Sequence, residues 1–429
     1  MIPFMSFPMC SSRRMVSYTC CFVTVCLVLH VWIMTDIFRF VDNVSSVFFT
    51  RNKGQSIHAS TKQYYKTRTT TEVKYVLMWK RYYLIKSNDG VDIFPTLHCP
   101  VSNCVFTDNR KLLGNDYSNF DALIFDYELT KKDDKPVKRS RSQIYIFTTI
   151  ESSYTQPLCE VTNDNFFNWT FTPRLDSDVL WLYFVVTDTS GTVVAPRRNV
   201  KWKTSLEPVR PEIKTILRRK KKTAAWLVSH CTTDSFRDQY LSRLQEHLYH
   251  YSLRIDVYGM CSNNKCPNDN CDELIKNEYY FYMAFENSFA VDYVSEKVLH
   301  GYNNYAIPIV YGGANYSRFL PPGSYINARE IHPYNLAYII QEVVKTPALQ
   351  ETFFRWTNLY KITDDPKVYH PLCDLCKALH STKALFAPAK KNIRVWWNGR
   401  NGMKWCLSDS YWNESSKVNI DAKHIFPLY

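Results

Sequence analysis

Hydrophobic positions along the chain fall into short continuous runs separated by polar stretches. Tyr75–Trp79, Ala122–Leu129 and Gln143–Glu151 each predict a strand. A second set follows at Ala224–His230, Arg254–Tyr258, Tyr280–Phe285, Ala306–Tyr311 and Ser324–Asn327. Within this second set the period changes between strands. From Ser235 to Tyr249, Phe236, Tyr240, Leu244 and Leu248 recur every four residues, with Leu241 widening the stripe. That spacing predicts a helix, capped by Thr233 or Asp234. Another helix is predicted near Val294, running through Val298 and Leu299. Strands alternating with helices imply parallel sheets. Glu207-Pro-Val-Arg-Pro211 and the run Arg218-Arg-Lys-Lys-Lys222 separate the two sets, and proline and charge mark a linker. The pattern predicts two α/β domains with a cleft between them as the default site. After about Pro388 it gives way to a basic stretch with Trp396, Trp397, Trp405 and Trp412. That stretch is compatible with a segment wrapping the body or with a loosely ordered one.

Length agrees with two domains: the chain has 429 residues. It has only 11 glycines, and no G-x-G-x-x-G, Walker A or HExxH motif. This argues against a Rossmann dehydrogenase, a P-loop NTPase, a protein kinase and a zincin protease. The net charge of +13 invites a nucleic-acid reading. Residues 1–71 carry eight Lys/Arg against two Asp/Glu, and the 218–222 run adds five more positive charges, so these two places hold 11 of the 13. No aromatic interleaves with the 218–222 run, and no nucleic-acid partner is expected.

Val16 to Met34 contains no Lys, Arg, Asp or Glu and would reach about 28 Å, close to a hydrocarbon core. Arg13 and Arg14 precede it, which favours a cytoplasmic N-terminus. The expected order is a tail over 1–15, a signal-anchor over 16–34 and a polar luminal stem over 35–71. An N-terminal domain over 72–210, a C-terminal domain over 211–380 and an extension over 381–429 follow. Sequons at Asn43, Asn168, Asn315 and Asn413 are glycosylation candidates. Ten cysteines lie beyond the apolar segment, an even number suited to disulfides in an oxidising compartment. Their pairing is not readable from spacing. Cys373-x-x-Cys376 with His380 lacks the second ligand pair that a zinc site needs.

The densest chemistry begins at Phe281-Tyr-Met-Ala-Phe-Glu-Asn-Ser-Phe-Ala-Val-Asp-Tyr-Val-Ser-Glu-Lys297 and continues through Ala306-Ile-Pro-Ile-Val-Tyr-Gly-Gly and Arg318-Phe-Leu-Pro-Pro. An apolar strand ends in polar Glu286, Asn287 and Ser288, and ligands of open α/β sheets bind at strand carboxyl ends. Lys297 lies in the first turn of the helix that follows, and Arg237 in the first turn of the Ser235 helix. Two helix starts, each with a cation, suit a diphosphate.

These runs resemble the signature of the α1,3-fucosyltransferases, glycosyltransferase family 10. The likeness extends back through Leu227-Val-Ser-His-Cys-x-x-x-Ser-x-Arg237, Asp256-Val-Tyr-Gly259 and Phe166-Phe-Asn-Trp-Thr-x-x-x-Arg-x-Asp-Ser-Asp178. It runs forward to Asp374-Leu-Cys376-Lys, covering about residues 140–380. The resemblance implies a GT-B fold, two Rossmann-like domains facing a cleft, in a type II Golgi membrane protein. It implies inverting transfer of fucose from GDP-fucose to a GlcNAc-containing glycan. Arg237 and Lys297 would hold the diphosphate, with Asn287, Tyr293 and Glu296 on donor phosphate, sugar or ribose. The family's base is a glutamate in a Glu-Ser-Pro run; here the run reads Ile150-Glu-Ser-Ser153, so Glu151 is the expected base.

No metal is expected to be strictly required, and stimulation by a divalent cation (manganese or magnesium) is left open. Asp176-Ser-Asp178 matches the D-x-D of metal-dependent GT-A enzymes, but the matching run in family 10 is not a metal site. Vertebrate enzymes acting on Lewis-type antennae carry a His-His pair where this chain reads Phe125-Asp-Tyr-Glu-Leu129. The acceptor is therefore open between the N-glycan core and LacNAc or LacdiNAc antennae. The alternative from another class is a non-catalytic membrane-anchored protein that binds glycans or GDP-fucose.

Overall fold

The computed structural model describes residues 73–79, 94, 97–127, 135–205, 207–384, 387–402 and 406. The expected anchor and stem, with Asn43, Asn413, Trp405 and Trp412, lie outside the described residues. Among those described, no helix is long and apolar enough to cross a membrane.

Six strands build the first sheet: β1 (Lys74–Met78), β2 (Cys104–Thr107), β3 (Ala122–Asp126), β4 (Ile144–Thr148), β5 (Trp169–Thr172) and β6 (Val179–Leu180). Their order is β2-β1-β3-β4-β5-β6, and every pairing is parallel. A parallel sheet covered on both faces needs apolar residues on successive positions. Ile144-Tyr-Ile-Phe147 is buried throughout for that reason. β7 (Val185–Asp188) and β8 (Val193–Ala195) follow as an antiparallel pair.

The second half opens with helix α1 (Pro211–Leu217) and alternates strictly: β9 (Lys222–Leu227), α2 (Arg237–Tyr249), β10 (Ile255–Tyr258), α3 (Cys271–Glu278), β11 (Tyr279–Phe285), α4 (Lys297–Asn303), β12 (Ile307–Tyr311) and β13 (Ile326–Asn327). The sheet is all parallel, ordered β10-β9-β11-β12-β13. The chain leaves β9 toward one edge and returns on its other side as β11, so a topological switch point lies between them. Trp226, Phe281, Met283 and Ile309 pack on α1, α2 and α5 (Pro333–Lys345). Ala225, Tyr282, Ala284 and Val310 point the other way, onto α3, α4 and the β7–β8 pair. After α6 (Pro347–Thr352), β14 (Tyr360–Thr363) joins β7 antiparallel and ties the halves together.

The chain then returns to the first sheet. α7 (Pro371–Leu379) buries Leu372, Leu375, Cys376 and Leu379 against Val76, Ile124 and Ile146 on one face. α8 (Ile393–Gly402) buries Ile393 and Trp397 against Leu77, Phe125 and Phe147 on the other. Cys99–Cys373 and Cys104–Cys376 fasten α7, and Cys159–Cys406 fastens the segment after α8. The basic stretch after Pro388 therefore wraps the body over residues 387–402. Cys231–Cys261 and Cys266–Cys271 complete the pairing of all ten cysteines. Cys104, Cys376 and His380 cluster, but both sulfurs belong to one disulfide, so the zinc reading fails.

Two expectations need correction. The basic run is not a linker: α1 precedes it, Lys222 starts β9, and Lys220 is 2% exposed. Its ammonium donates to Ile275 O at 3.2 Å, Lys276 O at 3.1 Å and Asn304 O at 3.1 Å, at the carboxyl ends of α3 and α4. α2 starts at Arg237, two residues late, because Phe236 takes the left-handed conformation (φ 51°); neither Thr233 nor Asp234 caps it. Asn168 is put to internal use, its carboxamide accepting from Tyr145 N at 2.8 Å and donating to Ala387 O at 2.6 Å. Asn315 is exposed.

Candidate active site

The site forms where the carboxyl ends of β4 and β11 meet. β4 runs into Thr149, whose hydroxyl accepts from the Glu151 backbone N–H at 3.1 Å and shapes the turn that carries the carboxylate. Ser152 follows, buried, and its hydroxyl accepts from Thr155 N at 3.1 Å. The Ser288 hydroxyl, just beyond β11, donates to Ser152 Oγ at 2.6 Å. Asp234, ahead of α2, accepts a hydrogen bond from Tyr154. Tyr293 is 3% exposed, and its hydroxyl donates to Glu151 Oε2 at 3.2 Å. The expected base and one expected donor contact, far apart in sequence, thus share a hydrogen bond.

Glu286 organises the other side. It is 1% exposed, and its Oε1 accepts from Ser295 N at 2.8 Å and Ser295 Oγ at 2.9 Å. Lys297 Nζ lies 3.1 Å from Glu286 Oε2 and donates to Ser295 Oγ at 2.7 Å. The bonds at Ser295 hold residues 293–295 out of a helix, so α4 begins at Lys297, later than the apolar pattern suggested. Burial works to lower the Lys297 ammonium, but the Glu286 and Glu296 carboxylates outweigh it and hold the pKa above the ordinary lysine value. Glu296 itself is half exposed, 3.7 Å from Lys297 Nζ.

Arg237 sits across the switch point. Its guanidinium donates to Phe285 O at 2.7 Å and His230 O at 2.8 Å, at the ends of β11 and β9. It is 3% exposed, and its Nε is buried without a hydrogen-bond partner. Asn287 accepts from Ser288 Oγ at 3.2 Å and, through its carbonyl, from Ser235 N at 3.2 Å. The loop from 286 to 295 comes close to the end of β12 because two glycines stand there. A Cβ on Gly313 would lie 2.6 Å from Ala290 O, and one on Gly312 3.1 Å from Glu286 Cγ.

Glu151, Asn287, Tyr293, Glu296, Lys297 and Arg237 thus surround the ends of β4, β9 and β11. Two further residues belong to this network without having been singled out for a role. Glu286 was legible as a polar residue ending an apolar strand. Tyr183, whose ring meets that of Tyr293 edge to face at 6.1 Å, carries no signal in its Trp-Leu-Tyr-Phe run. Asp176 and Asp178 are occupied by protein groups. Asp176 accepts from Arg174 at 2.9 Å and Trp396 Nε1 at 2.9 Å, and Asp178 pairs with Lys390 at 2.9 Å while accepting from Thr170 N at 2.8 Å.

Family profiles match both halves: "Fucosyltransferase, N-terminal" over residues 71–184 and "Glycosyltransferase family 10 (fucosyltransferase) C-term" over residues 217–396. The chain belongs to glycosyltransferase family 10. It is a fucosyltransferase, and the resemblance in its motifs extends over both matched segments. Alpha-(1,3)-fucosyltransferase C of Drosophila melanogaster is 36% identical over 314 residues, covering 70% of each chain. The human 3-galactosyl-N-acetylglucosaminide 4-alpha-L-fucosyltransferase FUT3 is 31% identical over 287 residues, 65% of this chain and 70% of that one. A crystal structure of an α1,3-fucosyltransferase with GDP-fucose aligns with a TM-score of 0.42 and 15% identity, covering 82% of this chain and 93% of that one.

Proposed function

We propose that this family 10 enzyme transfers L-fucose from GDP-β-L-fucose to the 3-hydroxyl of a GlcNAc unit, with inversion, and that Glu151 is the general base. The fold we assign is GT-B, with Rossmann-like domains over 72–210 and 211–380 meeting at the site. The observation that carries the reading is the 3.2 Å hydrogen bond from Tyr293 to Glu151. It joins a half-buried carboxylate at the first sheet's end to the cation-bearing end of the second.

A sugar hydroxyl is a poor nucleophile and needs its proton removed as it attacks. Glu151 takes that proton in a single displacement, so a β-linked donor gives an α-linked fucoside. Negative charge then develops on the departing diphosphate, and Lys297 and Arg237 are the cations positioned to stabilise it. Asn287, Tyr293 and Glu296 complete the donor's surroundings. Glu286, by fixing Lys297, keeps that ammonium charged and aimed. The anomeric carbon gains oxocarbenium character, as in glycoside hydrolysis.

We assign no strictly required metal, a reading supported by the protein partners that each carboxylate of Asp176-Ser-Asp178 already has. We further assign a single-pass type II Golgi location with a luminal catalytic region. The apolar run Val16–Met34 and five disulfides support it. For the acceptor we favour GlcNAc in the N-glycan core or in LacNAc and LacdiNAc antennae.

The test is Glu151→Ala. We expect transfer to fall by about 10²–10⁴-fold while GDP titration remains as in the parent. Parent-like transfer by the variant would remove Glu151 as the base. A panel of GlcNAc-containing acceptors, with products sequenced by mass spectrometry, identifies the acceptor.

A further inference from the structure

The loop between β11 and α4 carries Tyr293, and the residue before it bends the chain sharply. Asp292 has φ 57°, in the left-handed region that residues with a Cβ seldom occupy. It is 6% exposed, a depth at which a carboxylate needs partners. One partner comes from the other half of the chain. Asp292 Oδ2 accepts from the Leu175 backbone N–H at 3.1 Å, across 117 residues of sequence. Arg318 Nη1 lies 3.8 Å from Oδ1.

Leu175 stands in the turn between β5 and β6, and that turn is fixed on its own account. The Leu175 carbonyl accepts from Arg198 Nε at 3.1 Å. Its side chain is 7% exposed and joins Val294, Val298 and Leu299 in one apolar cluster. Arg174 and Asp176, on either side, hold each other, and Asp176 also holds Trp396. The Leu175 N–H is therefore a fixed point that the loop from the second half can grip.

The bend at Asp292 has a geometric use. In extended backbone, successive side chains point to opposite faces. Here two successive side chains reach the same half: Asp292 to Leu175 and Tyr293 to Glu151. The diphosphate side of the loop is held separately, by Glu286 on Ser295 and Lys297.

We propose that Asp292 is a positioning residue for the transfer, a latch on Leu175 that sets where the Tyr293 hydroxyl meets Glu151. The proposal rests on Glu151 being the base. With the latch open, Tyr293 drifts and the carboxylate loses the bond that orients it toward the acceptor hydroxyl. Arg237, Lys297 and Glu286 keep their own contacts, so the donor's diphosphate is still held.

A plain turn-former makes the opposite prediction. Asp and Asn tolerate the left-handed region, and Gly occupies it at no steric cost. If conformation were all that mattered, Asp292→Gly would work as well as the parent. If the latch matters, Gly fails because the Leu175 N–H loses its acceptor. Asp292→Asn then restores function, since its carboxamide oxygen accepts the same N–H.

The experiment measures kcat, KM and GDP affinity of the full chain for Asp292→Asn, Asp292→Gly, Tyr293→Phe and the Asp292→Gly/Tyr293→Phe pair. For Asp292→Gly we expect kcat to fall about 10- to 100-fold, with GDP affinity within about twofold of the parent. Asp292→Asn should stay within about threefold of the parent. Because Asp292 acts through Tyr293, Asp292→Gly should cost less than about twofold more in the Tyr293→Phe background. A parent-like Gly variant, an Asn variant as impaired as Gly, losses that multiply in the pair, or loss of GDP binding would each overturn the proposal. A fully active Glu151→Ala would instead overturn the base assignment, and the two failures are read from different variants.

Discussion

Lys220→Met is the sharpest probe of the fold's electrostatics. The lysine stem is buried and its ammonium faces three carbonyls at the ends of α3 and α4. Burial pushes its pKa down from the ordinary lysine value to about 7. The sign follows from linkage: a group whose folded pKa lies below its unfolded one binds more protons when unfolded, over the interval between the two. Stability therefore rises with pH from about 7 toward about 10. A full pH unit in that window is worth about 1.4 kcal/mol, and since the group is about half protonated at pH 7, going from pH 7 to pH 9 should add about 2 kcal/mol. Methionine fills similar space and carries no proton. Urea unfolding of parent and variant at pH 7, 8 and 9, with disulfides intact, reads the difference. The gap between the two should widen by about that amount in the parent's favour as pH rises. Parallel stability curves would refute the reasoning, because they would mean the three carbonyls keep the ammonium charged throughout.

Three further outcomes are expected. Gly313→Ala drives a Cβ to within 2.6 Å of the Ala290 carbonyl, so the loop carrying Tyr293 must move; transfer should fall by at least tenfold while β12 stays folded, read by kinetics beside circular dichroism. Trp397→Ala removes a buried ring that packs edge-on against Phe147 at 5.4 Å and donates to Gln156 O at 2.8 Å; a loss of about 3–5 kcal/mol is expected from denaturant unfolding. Dialysis against EDTA should leave more than half of the transfer activity, whereas complete loss restored by manganese would return Asp176 and Asp178 to consideration as ligands.

The strands were largely legible because both faces of each sheet are covered, so Ile144–Phe147 and Tyr279–Phe285 read as unbroken apolar runs. β5, Trp169-Thr-Phe-Thr172, was not, since its threonines look like loop and only the sheet buries them. α7 displays a clear stripe of Leu372, Leu375, Cys376 and Leu379 behind Pro371, yet Cys-x-x-Cys suggested metal chemistry before it suggested a helix with two disulfides. Arg237 and Lys297 were found because cations at helix starts have a physical use. Their partners were not: whether Arg237 meets a phosphate or the carbonyls of His230 and Phe285 depends on how three loops close. Tyr183 lay beyond reach altogether, because its meaning arises only where two distant segments touch.

The return of α7 and α8 to the first sheet bears on how the protein is made. The β9–β13 sheet is encoded contiguously and has all its covering helices within reach once residue 345 has emerged. The first sheet, though synthesised earlier, gets the helices that complete its two faces only when about the last seventh of the chain arrives. Cys99 and Cys104 must wait for partners 274 and 272 residues later. The half begun first is therefore finished last, and a nascent chain needs its early thiols kept from wrong partners for more than half of translation.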